Sequence, residues 1–202
     1  LTSLQRDANS RFGFSAKNTL GIAQALYEKH KVLTYPRTDS RALPEDYLGT
    51  VKTTMEMFTG HGPTTGTTFV TRYSTFADQI LNNDWVKPNK RIFNNAKVSD
   101  HFAIIPTSLE PKKLNEAELK LYDLVTKRFL AIFYPSAEYL VTTRITRVEN
   151  ETFKTEGKIM VNPGWQIVYG KSSSSPSVDS DQENLTLAAI GPNATVKTEE
   201  ID

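Results

Sequence analysis

Eight consecutive residues, Leu33-Thr34-Tyr35-Pro36-Arg37-Thr38-Asp39-Ser40, gather a phenol, a guanidinium, a carboxylate and three hydroxyls. The chemistry such a set can carry is nucleophilic attack on a phosphodiester. A phenol ionises at about pH 10, so its oxygen attacks at neutral pH only where the developing anion is stabilised. A guanidinium helps in two ways. It neutralises the phosphodiester that the anion must approach, and it bonds the non-bridging oxygens on which charge builds in the transition state. Proline after Tyr35 pushes that residue out of the helical region. In an extended segment residues two apart face the same way, so Tyr35 and Arg37 can address one target. His101 is the candidate third member, an imidazole able to hydrogen-bond phosphate.

Taken singly, these residues admit plainer readings. A tyrosine before proline can be a packed loop aromatic. Arg37 can pair with Asp39 at the surface, and His101 can bond backbone. Asp39 and Ser40 are turn and capping chemistry.

The elements that must position this set read as follows. Thr2-Ser3-Leu4-Gln5 has the pattern of a capping box and opens a short helix to about Asn9. Gly13 breaks it, with freedom to take positive φ. Ser15 caps a second helix whose inward face carries Leu20, Ala23 and Leu26-Tyr27. Lys29, His30 and Lys31 fall in its last turn, where positive charge suits the helix dipole. The chain then runs extended through Val32-Leu33-Thr34. Pro44-Glu45-Asp46 starts a third helix, with Leu48, Val51, Met55 and Phe58 inward and Gly60 at its end. Residues 64–68 read as loop, and a helix follows from Ser74 to Leu81. Residues 87–99 are basic and irregular. The loops at 60–73 and 87–99 are open between substrate contacts, lineage-specific insertions and stabilised coil. Asn115 with Glu118 forms a second capping box and opens the clearest helix, which Pro135 stops.

After Pro135 the apolar period changes from about 3.6 to 2. Strands are expected through Tyr139–Ile145, Phe153–Val161 and, after an Asn162-Pro163-Gly164 turn, Trp165–Tyr169. Residues 171–184, rich in serine and acid, read as a mobile loop, with short closing strands around Leu185, Leu187 and Val196. The expected architecture is therefore α+β. A mainly helical domain over 1–135 carries the tyrosine, and part of an antiparallel β domain occupies 136–202.

The chain has 202 residues, enough for a sizeable core in one or two domains. It contains no cysteine, which excludes disulfides, thiol nucleophiles and cysteine-bound zinc. No apolar run approaches the roughly 18 residues of a membrane span. Its polar opening does not read as a signal peptide, and its start at Leu1 reads as a piece excised from a longer protein. Net charge is only +1. Its distribution is more informative: residues 1–135 hold 18 Lys/Arg against 13 Asp/Glu, and residues 136–202 hold 6 against 10. The basic excess thus sits with Tyr35.

Three ordered motifs carry a resemblance. Thr34-Tyr35-Pro36-Arg37-Thr38-Asp39-Ser40 resembles the active-site tyrosine motif of type IA DNA topoisomerases. Upstream, Leu4-Gln5-Arg6-Asp7-Ala8-Asn9 with Arg11-Phe12-Gly13-Phe14-Ser15-Ala16 is similar to the segment leading into it. Downstream, Asp100-His101-Phe102-Ala103-Ile104-Ile105-Pro106-Thr107 resembles the family's histidine motif. Pro36, and Ile-Pro-Thr after the histidine, look more like the topoisomerase III branch. The Asn162-Pro163-Gly164-Trp165 turn is similar to the family as well.

The resemblance implies a single-strand DNA break through a 5′-phosphotyrosyl link, strand passage and ATP-independent resealing. It implies Tyr35 as nucleophile, Arg37 as the group positioning phosphate and phenol, and His101 at the phosphodiester. Thr34, Thr38, Asp39, Ser40, Asp100 and Thr107 are then candidate DNA contacts. The β part would belong to the arch that hinges the tyrosine domain.

The family's Mg2+ site lies in a separate Toprim domain, whose acidic motif is missing here. Asp179-Ser180-Asp181 has the spacing but not the strand context. The expectation is a chain that binds no metal itself and does not relax DNA alone. Its partners would be single-stranded DNA and the parent's remaining domains, in a cytoplasmic, nucleoid-associated setting without membrane. The competing readings are a non-catalytic single-stranded DNA-binding module, with Tyr35 stacking on a base, and a β-rich adaptor without DNA chemistry.

Overall fold

The computed structural model describes residues 1–60 and 68–170. The chain separates into two compact units, Leu1–Pro135 and Ser136–Asp202. The described part of the first is helical, and that of the second is a two-stranded antiparallel sheet followed by a 3-10 helix.

In the first unit α1 spans Thr2–Phe12 and α2 spans Ala16–Glu28. The expected capping box at Thr2–Gln5 does not form: Thr2 is already helical, and no side chain caps the N-terminus. Gln5 is engaged elsewhere, its Nε2 donating to the Ala16 carbonyl (3.0 Å), while Asn9 Nδ2 donates to the Phe14 carbonyl (3.1 Å). These two amides tie α1 to the start of α2. The helix also runs a turn beyond Asn9 before Gly13 ends it at φ 69°. Ser15 caps α2 as expected, accepting from the Asn18 N–H. The stripe that α2 buries is Thr19, Ala23 and Leu26. Tyr27, expected inward, is 37% exposed.

Pro44 precedes a 3-10 turn, Glu45–Tyr47, and the α-helix proper, α3, is Leu48–Thr59. The Glu45 N–H is held by Asn95 Oδ1 (2.9 Å) and its carboxylate by Lys90 (2.7 Å), so tertiary contacts shape this first turn. Gly60 ends α3 at φ 74°. Helix α4 spans Thr68–Asn82, longer than the expected Ser74–Leu81, so residues 68–73 are helix rather than loop. The rest of the expected 64–68 loop lies outside the described residues. Helix α5, Glu116–Ala131, has the full reciprocal capping box between Asn115 and Glu118. Helix α3 packs on α4, and α2 packs on α5. The core between them holds Leu26, Phe58, Tyr73, Ile80, Leu121, Tyr122, Phe129 and Leu130. The Tyr73 hydroxyl donates to Asp123, and burial raises the Tyr73 phenol's ionisation well above its ordinary range.

The segment after α2 departs from its expected role. His30 is not a solvated charge at the helix end. Its Nε2 lies 3.2 Å from the Glu118 carboxylate, with both side chains buried. Lys31 adopts φ 56°, the left-handed conformation, and turns the chain off α2. A non-glycine residue there carries strain on the order of 1–2 kcal/mol. Val32 and Leu33 follow, each 1% exposed. Burying two such side chains is worth about 1.5–3 kcal/mol apiece, which pins the start of the tyrosine segment into the core.

In the second unit β1, Glu138–Val148, pairs with β2, Glu151–Asn162, from Val148↔Glu151 at the hairpin end to Glu138↔Asn162, with an irregularity at Glu138/Tyr139. The expected third strand is instead a 3-10 helix, Gly164–Tyr169. The Asn162 side chain accepts from the Gly164 N–H (3.0 Å), and Pro163 sits in the right-handed helical region, so the turn winds instead of reversing. Gln166 then donates to the Tyr139 hydroxyl (2.7 Å), and Val168 is buried. β-branched and aromatic composition read as strand is overridden by these contacts. The expected loop 171–184 and the strands around Leu185, Leu187 and Val196 lie outside the described residues.

Candidate active site

Two extended segments, remote in sequence, build the site. Thr34 N–H donates to the Ile105 carbonyl (3.0 Å), and Thr107 N–H to the Val32 carbonyl (3.0 Å), in an antiparallel pairing centred on Leu33 and Pro106. The Thr34 hydroxyl doubles this link, donating to the Ala103 carbonyl (3.0 Å) and accepting from the Ile105 N–H (2.9 Å). Further on, the buried Thr38 hydroxyl donates to the His101 carbonyl (3.0 Å) and accepts from the Ser40 N–H (3.0 Å). The bridge at Leu33–Pro106 and the side-chain bond from Thr38 to the His101 carbonyl join the two segments at two separate points. Thr107 Oγ1 donates to the Lys31 carbonyl (2.8 Å), and Ser40 Oγ to the Lys97 carbonyl (2.8 Å).

This lacing brings Tyr35 and His101 together. Their ring centroids are 4.1 Å apart at 40°. On its other contact the Tyr35 ring meets Tyr27 of α2, edge to face at 5.4 Å. Tyr35 is half-buried and His101 exposed. Among the described residues, no hydrogen bond engages the Tyr35 hydroxyl, so its oxygen is available to a substrate. Arg37 is exposed, and its Nη2 donates to Gln24 Oε1 of α2 (3.4 Å). Pro36 and Arg37 form a bend instead of continuing an extended strand. Tyr35 and Arg37 nonetheless meet the same helix, at positions three apart that share one helical face.

The six flanking residues divide into two groups. Thr34, Thr38, Ser40 and Thr107 have hydroxyls committed to backbone carbonyls, so in this arrangement they hold the two segments together. Asp39 and Asp100 are exposed beside the site. Gln24 and Tyr27 are the residues that sequence reasoning passed over. The buried stripe Thr19-Ala23-Leu26 places Gln24 and Tyr27 on its flank, a rotation of α2 that the sequence pattern did not show.

Arg37 and His101 are exposed and Tyr35 is half-buried. A cavity of about 390 Å³ opens beside the Asp39–Arg41 segment, with Ile104, Leu124 and Ile132 in its wall, and none of Tyr35, Arg37 or His101 lines it. Among the described residues no three His, Asp or Glu side chains converge as a metal site would require. Asp179-Ser180-Asp181 lies outside those residues. No helix among them is long and apolar enough to cross a membrane.

Comparison with known proteins adds identity to this geometry. The sequence matches the DNA topoisomerase family over residues 1–202. It is 44% identical over 198 residues to DNA topoisomerase 3 of Bacillus cereus, covering 97% of this chain and 26% of the relative. DNA topoisomerase 3 of Bacillus subtilis is 43% identical over 203 residues, with 98% and 26% covered. The chain thus spans about a quarter of the length of these relatives. In fold it is similar to full-length topoisomerase I of Thermotoga maritima, with a TM-score of 0.53 and 23% identity over 90% of this chain and 28% of that one. With the whole chain matched and three motifs in order, the chain belongs to the type IA DNA topoisomerase family, on its topoisomerase III-like branch.

Proposed function

We propose that this chain supplies the nucleophile of a type IA topoisomerase and that Tyr35 is that nucleophile. The Tyr35 oxygen attacks phosphorus in one DNA strand and forms a 5′-phosphotyrosyl bond. The bond from phosphorus to the 3′ oxygen breaks, and the 3′-hydroxyl leaves with a proton. Another strand passes through the gap, and attack by the 3′-hydroxyl reverses the step. The exchange of one phosphoester for another conserves its free energy, so resealing needs no ATP.

Arg37 pairs with the scissile phosphate and with the charge that develops on it. His101 hydrogen-bonds the phosphodiester beside the break. The observation that carries this reading is the Tyr35–His101 contact, made by two segments remote in sequence, with the phenol oxygen unengaged among the described residues. Units 1–135 and 136–202 act, on this reading, as the tyrosine-bearing domain and part of the arch that hinges it.

The Mg2+ of the parent enzyme has no fitting donor set among the described residues, and no step here runs through it. We assign the ion to the Toprim domain of the parent and the substrate to single-stranded DNA in the bacterial nucleoid. The chain by itself then does not relax supercoiled DNA. The test is covalent trapping of a single-stranded oligonucleotide after adding a Toprim-containing fragment. Wild-type chain forms the adduct with the added fragment, and the Tyr35→Phe chain does not. An adduct with the Phe variant overturns the assignment.

A further inference from the structure

The rings around the nucleophile assign a role to a residue outside the three motifs. Tyr35 is held on two contacts, by His101 at 4.1 Å and by Tyr27 at 5.4 Å with the ring planes at 80°. His101 belongs to an exposed loop segment, whereas Tyr27 sits on α2, a helix whose adjacent Leu26 is fully buried. His101 is tied through its carbonyl to the buried Thr38, and Tyr27 is carried by a helix whose other face lies in the core. Tyr27 is itself 37% exposed, so core packing does not account for an aromatic residue at that position. Among the described residues no hydrogen bond engages its hydroxyl, which leaves the ring as the part that makes contact.

We propose that Tyr27 is a positioning residue for Tyr35. Its ring braces the nucleophile's ring edge to face and restricts the side-chain rotation that would swing the phenol oxygen away from the phosphate. This rests on Tyr35 being the nucleophile. Edge-to-face aromatic pairs are favoured beyond area burial, enough to select one rotamer over another. A free phenol also pays an orientation cost at each attack, and a misplacement of about 1 Å can cost up to a hundredfold in rate.

The test uses the full-length enzyme containing this chain, a single-stranded oligonucleotide, and single-turnover cleavage alongside equilibrium binding. Tyr27→Phe keeps the ring and is expected to cleave within about twofold of wild type. Tyr27→Leu removes the ring edge and is expected to slow cleavage by about tenfold or more, with the oligonucleotide Kd changed less than about threefold. Rescue by Phe and failure by Leu, with binding intact, is a split that a DNA-contact role does not produce. Unchanged cleavage in Tyr27→Leu overturns the proposal, as does a loss of binding equal to the loss of rate. If Tyr27→Leu unfolds, Tyr27→His, which keeps an aromatic ring, is compared with Tyr27→Gln for the same split. Tyr35→Phe serves as the control: persistence of its adduct defeats the nucleophile assignment itself, whatever Tyr27 does.

Discussion

Tyr35 and His101 touch ring to ring, at 4.1 Å between centroids. Nothing local in the chain makes this contact. It follows from an antiparallel bridge between Leu33 and Pro106, flanked by backbone hydrogen bonds, and from the bond of the buried Thr38 hydroxyl to the His101 carbonyl. The consequences that can be measured follow from which group does what in that arrangement.

On the proposed function, Arg37 meets the charge of the phosphate. Its guanidinium is exposed, reaches Gln24 Oε1 and, among the described residues, makes no ion pair. Arg37→Ala in the full-length enzyme is expected to slow single-turnover cleavage by about 10²–10³-fold, the usual cost of removing one transition-state donor. Arg37→Lys restores only part, because an ammonium lacks the planar fork. Rapid-quench cleavage of a labelled oligonucleotide reads both.

Thr38 acts at one remove, through the His101 backbone. Thr38→Val keeps volume and shape but leaves the His101 carbonyl and the Ser40 N–H without their partner. Such orphaning costs about 1–3 kcal/mol. Thermal denaturation should show that loss in the isolated chain, and cleavage by the whole enzyme should fall with it. Thr38→Ser should restore both.

The buried His30–Glu118 pair supports the turn into the tyrosine segment. Burial pushes the Glu118 carboxyl up, but the Asn115 backbone N–H and His30 outweigh it, and the net shift is downward. A depressed carboxyl contributes stability that is present above its unfolded value, about 4.3, and is lost as pH falls through the lower folded value. Glu118→Gln is therefore expected to be less stable than wild type at neutral pH, by about 1–3 kcal/mol, as the contact with His30 and the charge-assisted bond from the Asn115 N–H lose their carboxylate. The gap should narrow below about pH 4 as the wild-type carboxyl protonates. Urea denaturation across pH 3–7 checks the sign.

Much of this was legible in the residues, and what was not has a physical reason. The period of Tyr122, Val125 and Phe129 and the Asn115–Glu118 box specify α5, because both signals are local. Ser15 and Gly13 mark the α1–α2 junction for the same reason. At Thr2–Gln5 the same kind of pattern misleads, since Gln5 spends its amide on Ala16. Trp165–Tyr169 reads as a strand by composition, yet Asn162 and Pro163 wind it into a helix. In the site, Tyr35 and Arg37 stand out by residue type and spacing. Tyr27 and Gln24 do not, because their contacts depend on how α2 is rotated against a segment that follows it. His30 looked like a solvated end charge because its partner, Glu118, lies far along the chain.

The central claim is that a DNA strand becomes covalently joined to Tyr35, and peptide mapping tests it most directly. The full-length enzyme is trapped on a single-stranded oligonucleotide, digested with nuclease and trypsin, and read by tandem mass spectrometry. The account predicts a modified peptide Val32–Arg37 with a 5′-phosphorylated deoxynucleotide on Tyr35. An adduct mapped to any other residue, or linked through the 3′ end of the broken strand, contradicts it.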